Sequence, residues 1–207
     1  MAAAPTAELA ALDTIKGATP RWLCETLYDL AATVPADQAI VEIGVFHGRS
    51  ACYLGAGARS GHGAHVWAID PWDLPGERKT YMESVHGLAH REGFTDPETR
   101  KAAEANIARF GLTDQVTPWR AFSVQAAAEW DGPPVGLLYV DGDHHAEAVR
   151  GDFEAWRPHL APGALVAFDD HEPPFFEVIE TVAALAAEGR ITAPDVHGGR
   201  LALATVP

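Results

Sequence analysis

The sequence predicts an α/β fold in which a doubly wound, mostly parallel sheet carries helices on both faces, with an N-terminal helical extension. Stretches typical of strands alternate with stretches typical of helices along the chain. Several strand-length runs are apolar throughout, which is the pattern of strands buried on both faces of a parallel sheet. Because 207 residues fit one domain, we predict a single domain over 1–207.

The first two helices form the predicted N-terminal extension, residues 1–37. They are predicted over 7–17 and 20–34, where Pro20 suits a first helical turn. Apolar side chains recur at helical spacing in the second helix, namely Trp22, Leu23, Leu27 and Leu30. We interpret this stripe as a packing face, while a contact in a homo-oligomer or part of a lid stays open.

The remaining elements alternate as a doubly wound sheet requires. Strands are predicted over 39–43, 65–70, 115–118, 135–141, 164–170, 190–195 and 200–206, and helices over 49–59, 98–110, 122–130, 145–157 and 174–188. The polar segment 71–97 interrupts this order and contains Trp72, Tyr81, His86 and His90, with a short helix expected near 79–89. Since long segments between core elements are more often functional than idle, we predict a lid or substrate segment there.

The charge of the chain limits the kinds of partner that it can bind. With 15 basic and 29 acidic residues the net charge is −14, which argues against nucleic acid or an anionic membrane as a binding surface. The two cysteines, Cys24 and Cys52, lie in apolar helical patterns and show neither metal-ligand nor disulfide spacing. The N-terminus lacks the basic region of a signal peptide. We therefore expect a cytoplasmic protein.

A glycine-containing turn follows the first core strand, over residues 39–50. Gly44 and Gly48 flank the turn, and a helix is predicted to begin directly after them. A strand, a glycine turn and the free N–H groups of a helix N-terminus together form a loop that can cradle a nucleotide. An ordinary strand–turn–helix connection is the alternative.

An acid at the end of the second strand indicates which nucleotide this loop would hold. Asp70 follows the glycine turn by about 25 residues, where a carboxylate accepts hydrogen bonds from a ribose diol. NAD and S-adenosylmethionine both meet this requirement. However, Phe46 replaces the second glycine of a dinucleotide loop, and Glu42 would repel a pyrophosphate but suit a cationic cofactor. We therefore favour S-adenosylmethionine over NAD.

Acids also end the later strands, at Asp141 and at Asp169–Asp170. Clustered carboxylates repel one another, and a divalent cation is the simplest way to keep them ionised. Oxygen ligands select Mg²⁺, with Mn²⁺ or Ca²⁺ as further options. Two alternatives stay open, a zinc site built from His144, His145 and His171 and a capping role for Asp169 and Asp170.

The motifs resemble those of class I S-adenosylmethionine-dependent methyltransferases, and more narrowly the metal-dependent macrocin-type sugar O-methyltransferases. Segment 42–50 is similar to their first cofactor motif, 121–125 to the loop beside the adenine, and 140–145 and 168–170 to their metal-binding strand ends. The resemblance implies a Rossmann-like methyltransferase fold. The cofactor contacts that it implies are Glu42, Gly44, Phe46, His47, Gly48, Ser50, Asp70, Ser123 and Asp141, and the metal ligands are Asp141, Asp169 and Asp170.

The predicted reaction is S-adenosylmethionine- and metal-dependent methylation of a hydroxyl on a small molecule, such as a sugar, a phenol or a natural product. Asp143 is the predicted base, because it lies two residues after Asp141 in an extended stretch, and His144 is predicted to assist or orient. Three alternatives stay open: an NAD-linked oxidoreductase, an enzyme like the cephalosporin hydroxylases, and a non-catalytic cofactor-binding domain.

Overall fold

The computed structural model describes residues 6–72 and 99–207, and elements are numbered in chain order through these residues. The strands are β1 Ala39–Ile43, β2 His65–Asp70, β3 Val116–Arg120, β4 Val135–Val140, β5 Leu160–Phe168, β6 Asp195–His197 and β7 Leu201–Thr205. The helices are α1 Thr6–Leu12, α2 Arg21–Thr33, α3 Arg49–Ser60, α4 Thr99–Arg109, α5 Ser123–Ala128, α6 Ala146–Trp156 and α7 Phe176–Ala187, and a 3₁₀ turn spans Arg157–His159.

The strands form one seven-stranded sheet in the order β3–β2–β1–β4–β5–β7–β6. The five strands β1 to β5 pair in parallel, while β7 runs antiparallel to both β5 and β6. The chain therefore starts in the middle of the sheet, winds outward to β3, and returns through β4 to the other edge. The predicted doubly wound, mostly parallel sheet is confirmed.

Each face of the sheet has its own hydrophobic core. Ile40 of β1 packs in the core beneath α1, α2, α3 and α4. Its neighbours Ala39, Val41 and Ile43 pack in the core beneath α5, α6 and α7. All six residues of the apolar strand β4 are buried, and so are all five of β1, including the acidic Glu42, as expected for strands covered by helices on both faces. Burying a Val or Ile side chain of this kind stabilises the fold by about 1.5–3 kcal/mol.

The N-terminal extension packs on α3, and two glycines permit the close approach. A Cβ at Gly57 would lie 2.2 Å from the Tyr28 carbonyl oxygen, and one at Gly61 would lie 2.0 Å from that of Ala32. Leu23 and Leu27 are fully buried on this face, which confirms its packing role, whereas Trp22 stays 39% exposed. No helix within 6–72 and 99–207 combines the length and the apolar character needed to span a membrane.

Several predicted boundaries were wrong. Helix α1 ends at Leu12 rather than at 17, and the carbonyls of Asp13 and Ile15 accept hydrogen bonds from Arg49 instead. Strand β3 runs to Arg120, and β5 begins at Leu160. Strand β6 covers Asp195–His197 rather than 190–195, because a turn with Gly198 and Gly199 at φ 57° and 75° sets the hairpin with β7. The predicted segment 71–97, except for Pro71 and Trp72, lies outside the described residues.

Candidate active site

The carboxyl ends of the central parallel strands meet at one edge of the sheet. Hydrogen bonding continues past the strand ends, since the Asp141 N–H donates to the Ile43 carbonyl at 2.8 Å and the Asp169 N–H to the Val140 carbonyl at 3.0 Å. The acids that follow β4 and β5 are therefore carried beside the glycine turn that follows β1. This is the edge at which open α/β sheets bind their ligands.

The turn after β1 has a backbone that only glycine accommodates at its first position. Gly44 has φ 87°, and a Cβ there would lie 2.0 Å from the Asp141 carbonyl oxygen. Phe46 and Gly48 also have positive φ, 51° and 77°, and Gly48 is the residue immediately before α3. The turn thus packs directly on the end of β4, which fixes its distance from the acids there.

Asp70, at the end of β2, organises this turn. Its carboxylate is fully buried and accepts hydrogen bonds from the N–H groups of Val45 at 2.9 Å, Phe46 at 3.0 Å and Trp72 at 2.7 Å. The Trp72 indole N–H in turn donates to the Phe46 carbonyl at 3.1 Å. The predicted contact between Asp70 and a ribose stays a prediction, but the side chain has a second role in holding the turn.

Glu42 lies at the same edge and is completely buried in β1. Among the described residues, neither carboxylate oxygen has a hydrogen-bond partner. Burial raises the pKa of Glu42 to about 8, the nearby Ser50 hydroxyl opposes part of that shift, and the charge of Asp70 adds to it. A buried carboxyl group without partners is costly, so a cationic ligand group would find a ready counterpart here.

The acids after β4 and β5 form a second cluster with a histidine. Asp141, His144 and Asp170 each offer one ligand atom, and these atoms lie within 4.8 Å of one another. The His144 Nε2 atom is 2.7 Å from the Asp170 Oδ2 atom. Burial raises the pKa of Asp141 well above its ordinary value; the charges of Asp169 and Asp170 raise it further and Arg200 opposes them. This donor set fits a divalent cation, which would relieve the repulsion.

Asp169, the third predicted metal ligand, is engaged differently. Its Oδ1 atom accepts hydrogen bonds from Arg200 Nε at 2.6 Å and the Asp170 N–H at 2.7 Å. Its Oδ2 atom accepts from Arg200 Nη2 at 3.0 Å and the Tyr139 hydroxyl at 2.9 Å. Sequence reasoning missed both Arg200 and Tyr139. The only signal was a cation directly before the last strand, and nothing in the sequence links it to Asp169.

Asp143, the predicted base, contacts its neighbour rather than the cluster. Its Oδ1 atom accepts a hydrogen bond from the His145 N–H and lies 2.9 Å from the His145 Nδ1 atom. The Asp143 side chain is 44% exposed, at the rim of the site. Of the three histidines in the alternative zinc set, only His144 belongs to the cluster; His145 contacts Asp143, and the His171 N–H donates to the Arg200 carbonyl.

The other predicted cofactor residues lie in the turn itself, in the first turn of α3 and at the start of α5. His47 is buried and stacks on Phe46 with ring centres 3.8 Å apart, and Ser50 is buried in the first turn of α3. Ser123 starts α5, is buried, and accepts a hydrogen bond from the Trp156 indole at 3.1 Å. Their predicted contacts with a cofactor stay predictions.

Comparison with known proteins finds a family model and a relative that match this chain. Residues 41–171 match the family model described as "Methyltransferase domain". A protein of Sinorhizobium fredii described as "uncharacterized protein y4gI" is 29% identical over 136 residues, which are 64% of this chain. The chain spans only 13% of that relative's length.

Solved structures with the same fold include three O-methyltransferases. The Bacillus cereus enzyme in complex with SAH is 18% identical, covering 98% of this chain and 92% of that one, with a TM-score of 0.67. TomG of Streptomyces achromogenes, involved in tomaymycin synthesis and in complex with SAM, is 19% identical over 98% and 90%, with a TM-score of 0.65. NovP is 16% identical over 89% and 79%, with a TM-score of 0.69.

The family match covers more than half of the chain and contains the glycine turn and both acidic strand ends. The fold shared with the three O-methyltransferases agrees with it. The resemblance to class I S-adenosylmethionine-dependent methyltransferases is confirmed, and this chain belongs to their methyltransferase-domain family.

Proposed function

We propose that this protein transfers a methyl group from S-adenosylmethionine to a hydroxyl oxygen of a small molecule. The observation that carries the proposal is Glu42, a fully buried carboxyl group without a described partner, beside a glycine turn. An ammonium or sulfonium group would satisfy that carboxylate, whereas a pyrophosphate would be repelled. The bound cofactors named for the Bacillus cereus enzyme and for TomG support the same cofactor.

The residues of the chain have separate tasks in this reaction. The bound cofactor would supply a methyl group on a sulfonium, so that transfer to oxygen releases a neutral sulfide and a hydroxyl proton. Glu42 would pair with the cationic end of the cofactor. Asp70 would contact the ribose and Ser123 the adenine. The absence of a side chain at Gly44 would let the cofactor approach the backbone closely. Fixing donor and acceptor in line is a large contribution that such a site can make.

A divalent cation held at the ends of β4 and β5 completes the proposal. Its predicted ligands are Asp141, Asp169 and Asp170, and His144 adds a nitrogen donor to the group. Such a cation lowers the pKa of a bound hydroxyl and fixes its position. Asp143 would then remove the proton, with His144 assisting, because a weak carboxylate base suffices for an acidified hydroxyl. We propose Mg²⁺ as the first ion to test.

The alternatives predict different ligands. An NAD-linked oxidoreductase would need a pyrophosphate beside Glu42 and at Phe46, where the second glycine of a dinucleotide loop is absent. An enzyme like the cephalosporin hydroxylases or a non-catalytic binding domain would retain the cofactor turn without methylating an acceptor. A sugar, a phenol or a natural product stays the proposed acceptor class.

Calorimetry of the purified chain with S-adenosylmethionine, S-adenosylhomocysteine and NAD tests the cofactor. We expect both adenosyl ligands to bind and NAD not to. Radiolabelled S-adenosylmethionine with a panel of sugars, catechols and glycosylated natural products, with and without Mg²⁺, tests the reaction. Tight NAD binding, or cofactor binding without transfer to any hydroxyl in the panel, would contradict the proposal.

A further inference from the structure

We propose that Arg200 and Tyr139 hold Asp169 beside the metal site, so that Asp169 does not bind the cation. The protein ligands of the cation are then Asp141, His144 and Asp170. Arg200 is then a positioning residue, and Asp169 is an outer support rather than a ligand. The inference rests on the proposed metal-dependent function and changes the ligand set predicted from the sequence.

The hydrogen-bond capacity of Asp169 is already used. An ionised carboxylate offers about four lone-pair sites, two on each oxygen. Asp169 Oδ1 accepts from Arg200 Nε and the Asp170 N–H, and Oδ2 accepts from Arg200 Nη2 and the Tyr139 hydroxyl. Three N–H donors and the Tyr139 hydroxyl therefore face the four sites, although the single hydroxyl proton can also go to Asp141 Oδ2 at 3.1 Å. Coordination by Asp169 would displace that hydroxyl or one of the N–H donors, and the potential ligand atoms that lie within 4.8 Å of one another come from Asp141, His144 and Asp170.

Asp170 is placed differently, although it is the next residue. Its backbone is left-handed, with φ 53°, which breaks the strand alternation after β5. Its Oδ1 atom lies 2.9 Å from Arg200 Nη2, while its Oδ2 atom lies 2.7 Å from His144 Nε2. One guanidinium thus holds both acids of the pair and leaves the Oδ2 atom of Asp170 beside the histidine.

The charge balance supports the same division. Asp141, Asp169 and Asp170 contribute three negative charges when ionised, and Arg200 contributes one positive charge, which it shares with the partly exposed Glu172 at 3.4 Å. The three acids therefore keep an excess of at least two negative charges, which a divalent cation would offset. The Arg200 side chain is only 16% exposed, so solvent screens this pairing weakly.

The revised donor set has a consequence for the ion. Three carboxylates suit Mg²⁺ and Mn²⁺ alike, whereas an imidazole in place of one carboxylate favours Mn²⁺, Fe²⁺ or Zn²⁺ over Mg²⁺. We therefore expect Mn²⁺ to bind more tightly than Mg²⁺ at this site. Mn²⁺ also gives a direct spectroscopic signal, which separates metal binding from catalytic activity.

The test is Mn²⁺ binding to the full chain, measured by electron paramagnetic resonance and calorimetry. Asp170→Asn and His144→Gln should each weaken Mn²⁺ binding by roughly 100-fold or more, because even outer partners of a ligand contribute about 10- to 100-fold. The double variant Asp169→Asn/Arg200→Gln removes the pair without changing the net charge. It should weaken binding by no more than about tenfold, the lower end of that range.

Arg200→Met should strengthen Mn²⁺ binding, whereas the variants described above weaken it. Removing the guanidinium releases Asp169 and leaves the site more negative, so Mn²⁺ should bind more tightly than to the wild-type chain. The apo protein should melt at a lower temperature, and Mn²⁺ should restore much of the loss. A role for Arg200 in packing alone would lower the melting temperature without strengthening Mn²⁺ binding, which would contradict the inference.

The outcomes separate this inference from the proposed function. If the double variant loses Mn²⁺ binding to the same extent as Asp170→Asn, Asp169 is a ligand and only the inference fails. If the wild-type chain binds S-adenosylmethionine but no divalent cation, the metal part of the proposed function fails, and the inference fails with it.

Discussion

At the scale of single residues, Glu42 and Asp70 show how two buried carboxylates at one sheet edge differ. Asp70 accepts three backbone N–H groups and is thereby fixed to the turn. Glu42 has no such partners among the described residues, and its burial raises its pKa to about 8. The side chain of Asp70 shapes the pocket, and that of Glu42 is a carboxyl group that keeps its proton up to about pH 8 until a cationic ligand pairs with it.

The raised pKa of Glu42 gives a pH dependence with a defined sign. An unfolded Glu has a pKa near 4.3, so the native state retains a proton between about pH 4.3 and pH 8 that the unfolded state has lost. Stability of the apo protein should therefore fall as pH rises through that window. Asp141 and Asp152 also have raised pKa values, so they add a fall of the same sign. Glu42→Gln should therefore make the fall shallower without removing it, measured as the melting temperature from pH 5 to pH 8.

Cofactor binding should depend on pH in the opposite direction. A cationic cofactor selects the ionised form of Glu42, so affinity for S-adenosylmethionine should rise between pH 6 and pH 7.5 and a proton should be released on binding. Calorimetry in buffers of different ionisation enthalpy measures that proton. Glu188→Gln, which removes an exposed acid paired with Arg150, is the control and should retain both effects. A pH-independent affinity would contradict the assignment of Glu42.

At the scale of elements, the site depends on the contact between the turn after β1 and the end of β4. Gly44→Ala would introduce a Cβ 2.0 Å from the Asp141 carbonyl oxygen, at a φ of 87°. Gly163→Ala is a matched control, because Gly163 has φ 74° but open space around its Cβ position. The pair separates the cost of steric overlap from the cost of backbone strain.

We expect Gly163→Ala to lower the free energy of unfolding by about 1–2 kcal/mol, the cost of a left-handed conformation for a residue with a Cβ. Gly44→Ala should cost about 1–3 kcal/mol more from overpacking, and should also abolish cofactor binding. Urea unfolding and calorimetry measure the two effects. Equal destabilisation by both substitutions would show that the turn and the end of β4 can separate freely.

How much the sequence predicts also depends on the kind of element. Apolar runs and glycine turns predicted the parallel strands and the sheet edge, because both signals are local. The contact of Arg200 with Asp169 spans 31 residues through an antiparallel hairpin, and no local pattern encodes it. Tyr139 lies within an apolar strand, so its hydroxyl was not expected to meet two acids. The contact of Asp143 with His145, by contrast, spans only two residues and is a local interaction that competes with the predicted role as base.

At the scale of the whole molecule, two arginines of α3 tie the N-terminal extension to the core. Arg49, in the first turn, donates to the carbonyls of Asp13 and Ile15 and pairs with the Asp13 carboxylate. Arg59, in the last turn, donates to the carbonyls of Phe110 and Gly111 and pairs with Glu8. Only Arg49 is adjacent to the glycine turn, since it directly follows Gly48.

This difference in position predicts different effects for matched substitutions. Arg49→Gln should loosen the stretch after α1 and shift the start of α3, so that affinity for S-adenosylmethionine falls about tenfold, the loss of roughly one hydrogen bond to a charged group. Arg59→Gln should loosen α1 but leave cofactor affinity unchanged, because the far end of α3 is distant from the turn in sequence. Hydrogen exchange of the backbone amides and calorimetry measure the two effects together. If both variants loosen the extension and neither changes cofactor affinity, the extension only adds stability. If Arg49→Gln alone weakens binding, the extension is coupled to the cofactor turn through the first residue of α3.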